Sequence, residues 1–104
     1  MKMKFEAGQY VEKFSGDYTG PGVIVTADMM NGNERYVVGH RIIGGTGMLL
    51  HIYGPNNIRL LQKWSDAPPV TDEAHRAARM LLGIKEQNRD HIYHVARSIR
   101  YILD

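Results

Sequence analysis

The chain contains no cysteine. Disulfide bridges, thiolate catalysis and cysteine-based zinc sites are therefore excluded. Charge of one sign is also scarce, because thirteen Lys and Arg against eleven Asp and Glu leave a formal net charge of only +2. Nucleic-acid binders usually concentrate basic residues in one patch, so this balance alone does not argue for one. Residues 1–64 hold seven of the basic and five of the acidic side chains, and residues 65–104 hold six of each. The small excess thus lies in the first part. No apolar run approaches the eighteen or so residues of a membrane span. The N-terminus has lysines but no apolar core, unlike a signal peptide. Together these features predict a cytoplasmic protein with no membrane partner. No Walker A sequence and no Gly-x-Gly-x-x-Gly after a strand is present. The three serines show no nucleophile-elbow spacing.

The chain does have short β-forming runs separated by strong turn signals. Residues 10–14, 23–29, 35–38, 48–53 and 58–61 read as five strands. Three glycines and a proline between Gly16 and Gly22 mark the first turn region. Asn31-Gly32-Asn33 marks a tight hairpin, since Asn-Gly tolerates positive φ. Gly44-Gly45-Thr46-Gly47 closes another hairpin, and Gly54-Pro55-Asn56-Asn57 reads as a single 3₁₀ turn. Five short strands within about 55 residues suggest a small barrel rather than a sandwich. The predicted fold is mainly β with an α tail: a five-stranded SH3-like barrel over residues 1–64, a linker at 65–70, and one or two helices over 71–104.

In the tail, Thr71 can cap a helix whose first turn holds Asp72 and Glu73, where the macrodipole favours acids. Ala74, Ala77, Ala78 and Leu81 form its apolar stripe, and Gly83 is a candidate end. A second amphipathic helix is expected from about Asn88 or Asp90, with Ile92, Val95, Ala96, Ile99, Ile102 and Leu103 on one face. His91 and His94 share one of its shoulders at i, i+3, but no carboxylate motif accompanies them, so a solvated edge is the plainer reading. Arg76, Arg79, Arg89, Arg97 and Arg100 are offset by acids and read as an exposed face. No metal site is assigned.

Six tyrosines and one tryptophan are many for so small a chain. Barrel aromatics can form a surface for peptides or bases. The plainer account has Tyr10, Tyr18 and Tyr36 packing edges and turns.

Across residues 8–61 the chain resembles the type II, trimethoprim-insensitive dihydrofolate reductases, which are small SH3-like barrels. Gly8-Gln9-Tyr10-Val11-Glu12-Lys13-Phe14-Ser15-Gly16 is similar to that family's opening strand. Gly22-Val23-Ile24-Val25, Glu34-Arg35-Tyr36-Val37-Val38, Leu50-His51-Ile52-Tyr53 and Ile58-Arg59-Leu60-Leu61 follow its later strands in order. The resemblance implies a homo-oligomer, four barrels around one pore, that binds NADPH and dihydrofolate together. By position, Lys13, His51, Ile52 and Tyr53 would bind the cofactor, and Tyr53 and His51 would stand nearest the chemistry. A shared pore would hold the two rings in near-attack geometry, and a ring of Lys13 side chains would attract anionic groups. The chain departs from the family in three places. His51 replaces a glutamine, Asp17-Tyr18-Thr19-Gly20-Pro21 stands where the family has a tryptophan, and residues 65–104 have no counterpart. Strand alternation puts Leu50 and Ile52 on one face and His51 and Tyr53 on the other. If Leu50 and Ile52 fill the core, an outward His51/Tyr53 pair needs no ligand, yet a symmetric pore would use the same geometry.

Two functional readings therefore stand side by side. One is NADPH-dependent reduction of dihydrofolate in a shared pore. The other is a non-catalytic binding module of phage or plasmid type that holds a small anionic aromatic ligand such as a nucleotide, a nucleic acid or a host protein. A scaffold assembled through its tail is a third, simpler role.

Overall fold

A computed structural model describes residues 3–16, 18–42, 44, 47–87 and 98–101; of 84–87 and 98–101 only the backbone is considered. The elements run β1 (Tyr10–Lys13), β2 (Gly20–Met30), β3 (Asn33–Arg41), β4 (Met48–Tyr53), β5 (Ile58–Leu60), α1 (Asp72–Gln87) and β6 (Ser98–Tyr101). The strands form one antiparallel sheet in the order β5-β1-β2-β3-β4-β6. Its edge strands are β5 and β6, so the ladder among the described residues is open. All five expected strands are present. β2 and β3 are longer than the sequence suggests: their ladder runs up to the hairpin turn itself, β2 begins at Gly20 by pairing with β1, and β3 runs on to Arg41 by pairing with β4. Asn31 (φ 53°) and Gly32 (φ 80°) both adopt positive φ, and Met30 pairs with Asn33 across them. That is the geometry of a two-residue primed turn. The Gly54–Asn57 segment makes one turn, closed by the Asn57 N–H on the Gly54 carbonyl at 3.4 Å.

The sheet has an apolar cluster on each face. The first contains Val23, Val25, Val37, Met48, Leu50 and Ile52 from the strands with Ala74, Ala78, Leu81 and Leu82 from α1. The helix thus lies on the sheet and shares its core. Thr71 caps it, accepting the Ala74 N–H on Oγ1 at 3.1 Å, and the Ala74, Ala78, Leu81 stripe is buried as its spacing predicts. Gly83 does not end the helix, which continues to Gln87. Glycine inside a helix costs only about 1 kcal/mol against alanine, too little to stop a helix already docked on a sheet. A register shift between Ile24 and Thr26 places an extra residue, Val25, in β2. This bulge lets both Val25 and Thr26 face the helix, and Thr26 Oγ1 meets His75 Nδ1 at 3.4 Å.

The second cluster, on the opposite face, is Phe5, Val11, Ile24, Tyr36, Val38, Tyr53 and Ile58. The N-terminal segment closes part of it. The Lys4 N–H donates to Glu34 Oε1 at 2.7 Å, the Phe5 N–H to Tyr36 Oη at 3.2 Å, and Phe5 sits edge-on to the Tyr36 ring. Tyr36 donates in turn to Glu34, which holds the Glu34 carboxyl below its usual range.

Where the sequence predicts a second helix, residues 98–101 form β6 instead, with Ile99 opposite Leu50 and Ser98 opposite His51. Ile99 and Tyr101 are good strand formers, and β4 would otherwise present a row of unpaired main-chain groups. Satisfying that edge outweighs the helical periodicity over these four residues. The remaining positions of the expected helix, including Ile92, Val95, Ala96, Ile102 and Leu103, and the His91/His94 pair lie outside the described residues. No described helix is long and apolar enough to cross a membrane.

Candidate functional site

Alternation along β4 sends Leu50 and Ile52 toward α1 and His51 and Tyr53 toward the second face. The His51/Tyr53 pair is not simply turned to solvent. Tyr53 is buried, His51 is half-buried, and both adjoin the second apolar cluster. Alternation along β1 puts Lys13 on the same face as Val11. Lys13, His51 and Tyr53 therefore come together, although 38 residues separate the first two in the chain. The Ile52 side chain lies on the opposite face, in the cluster under the helix.

Two further residues complete the group. His40, at the end of β3, is fully buried. Its Nδ1 lies 2.8 Å from the Pro21 carbonyl and its Nε2 lies 2.9 Å from Tyr53 Oη. A carbonyl only accepts, so Nδ1 carries the proton and donates it. Nε2 is left as an acceptor for the Tyr53 hydroxyl. Burial pushes the His40 imidazole down to about 4, against the Pro21 hydrogen bond, which favours the charged form; the nearby His51 and Lys13 charges lower it further. At neutral pH His40 is uncharged and the hydrogen-bond directions are set. The ring needs Gly22 beneath it: a Cβ there would lie 2.3 Å from Val38 Cγ1 and 3.1 Å from His40 Cε1.

Tyr18 comes from the connection between β1 and β2. Its ring stacks on His51 (5.7 Å between centroids, 27°), and His51 stacks in turn on Tyr53 (5.6 Å, 28°). The three rings form an offset column from exposed Tyr18 to buried Tyr53. His40 stands tilted or edge-on against all three, 4.6 Å from Tyr18 and 5.7 Å from each of the others. Such arrangements suit the ring quadrupoles.

The cation of the group is Lys13. It is only 7% exposed. Its Nζ donates to the Tyr18 carbonyl at 3.3 Å and lies 5.2 Å from the centre of the Tyr53 ring. A Cβ on Gly16, which has φ +85°, would come within 3.1 Å of it, so the turn folds closely over the ammonium. Among the described residues Lys13 pairs with no carboxylate. A cation beside a column of rings can receive an anionic group while a flat ring stacks nearby. No three His, Asp or Glu side chains among the described residues gather as metal donors.

His40 is absent from the residues the sequence singles out, because the third strand is expected to end at Val38. Carrying the period-2 pattern on from Tyr36 through Val38 would have placed His40 on the face of Tyr53. The sequence offers Tyr18 either as part of an aromatic surface or as a turn-packing residue, and its stacking on His51 depends on how the β1–β2 connection folds back. Compared with models of known protein families, with curated proteins and with solved structures, the chain matches none.

Proposed function

We propose that the protein binds a small anionic aromatic ligand of nucleotide type at the Lys13, His51 and Tyr53 cluster. The observation that carries this reading is the buried Lys13 ammonium beside a column of stacked rings. An anionic oxygen would take one of the lysine's donors, and a planar ring would stack on His51. Calorimetric titration of the full chain with NADPH tests it. Binding should weaken roughly ten- to a hundredfold in Lys13→Met, the range of a charge-assisted hydrogen bond, and should fall with added salt. Binding unchanged in Lys13→Met would overturn the assignment.

A second reading is favoured by a specific coincidence. Three of the four positions singled out by the resemblance to type II dihydrofolate reductases, Lys13, His51 and Tyr53, converge on one face. On this reading four chains assemble around a pore and reduce dihydrofolate with NADPH. The finer architecture would be an SH3-like barrel. Its support is the order β5-β1-β2-β3-β4, in which the 11-residue β2 pairs with β1 through its first residues and with β3 through the rest, bent at the Val25 bulge. Turnover of NADPH with dihydrofolate in the presence of trimethoprim, lost in Tyr53→Phe, is the expected result. No turnover by a confirmed tetramer that binds NADPH would leave the binding reading alone.

A further inference from the structure

The cluster is already occupied, by Tyr18. The Tyr18 carbonyl takes a hydrogen bond from Lys13. Its ring covers His51 and lies closest of the three to His40. One residue thus supplies both an acceptor oxygen to the ammonium and a flat ring to the aromatic column. These are the two features required of the ligand. Yet Tyr18 is 38% exposed, whereas Lys13 and Tyr53 beneath it are 7% and 8% exposed. It is the outermost member of the group and the one whose departure would uncover the rest. Glycines with positive φ stand on either side of it, Gly16 at +85° and Gly20 at +147°. Both backbones reach conformations closed to other residues, so their torsions can change with little steric penalty.

We propose that Tyr18 is a resident occupant of the binding site and that the ligand binds by displacing it. This inference rests on the binding reading above and adds its regulation. The ligand's anionic oxygen replaces the Tyr18 carbonyl on Lys13, and the ligand's ring replaces the Tyr18 ring on His51. The free protein is therefore self-inhibited, with an apparent affinity reduced by the fraction of molecules in which Tyr18 is in place.

NADPH titration of the full chain in three forms tests the inference. Stacked ring pairs imply that Tyr18→Ala, which removes the competing ring, should bind about two- to tenfold more tightly than the native chain. Tyr18→Phe keeps the ring and should bind as the native chain does. In NMR spectra of the native chain, the cross-peaks between the Tyr18 and His51 ring protons should disappear as NADPH is added. Equal or weaker binding by a folded Tyr18→Ala, with Lys13→Met still defective, would overturn the displacement proposal and leave the site in place. NADPH binding by none of the forms would remove the site reading and this inference together.

Discussion

The two faces of the sheet are built from the same strands and end differently. Under α1 the packing is almost entirely apolar, and the polar pair that reaches it, Thr26 with His75, is hydrogen bonded. On the other face the apolar cluster around Tyr36 and Val38 passes into Lys13, His40, His51 and Tyr53. The helix side shows what stability requires: complementary shapes and few polar atoms. The other side holds a buried cation and a buried imidazole, each costly to remove from water. In the proposed function these costly groups are the ones that meet the ligand.

The comparison can be broken most forcefully from the helix side. Leu81 is almost fully buried between α1 and the sheet. Leu81→Ala should lower stability by about 2–5 kcal/mol in urea unfolding, while NADPH affinity of the remaining folded protein stays as it was. A matching loss of affinity would mean that the two faces are coupled.

His40 sharpens the comparison through pH. Its folded-state value of about 4 lies below the ordinary value of 6.5. Above pH 6.5 neither state binds a proton at this ring. As pH falls from 6.5 toward 4, the unfolded chain takes up a proton that the folded chain refuses, so stability is lost across that window and levels off below it. The shift corresponds to about 3 kcal/mol in total. The urea midpoint should fall over this range in the native chain. In His40→Phe the slope from this ring should vanish, even though the variant is less stable at neutral pH. An unchanged slope would show that another group titrates there.

The smallest of these effects compares two glycines that face opposite ways. At Gly22 a Cβ would strike the stiff, β-branched Val38, touch the His40 ring and crowd the Gly39 carbonyl; at Gly39 it would strike Met48 and crowd Val25, but the closest contact there is an unbranched thioether, which repacks more readily than a β-branched side chain. Gly22→Ala should therefore cost about 1–3 kcal/mol and disturb the His40 bond to Tyr53, whereas Gly39→Ala should cost less. Chemical denaturation with the His40 ring resonances as a local probe would read both. A larger loss for Gly39→Ala would mean that the helix side is the more tightly packed.

The amino-acid sequence by itself determined the local features. Alternation in β4 separated His51 and Tyr53 from Leu50 and Ile52, Asn31-Gly32 made the hairpin, and Thr71 with the alanine stripe made the capped helix. Each is a rule acting over a few residues, so it is visible in a linear string. Tertiary structure alone decided the rest. His40 joins Tyr53 only because β3 runs on past Val38 and Gly22 leaves room beneath the ring. Tyr18 reaches His51 only because its turn folds back over Lys13. Residues 98–101 are a strand because the edge of β4 offers hydrogen bonds that helical periodicity cannot register. Those outcomes depend on partners distant in the chain, and a local pattern carries no information about which distant group will be there to meet it.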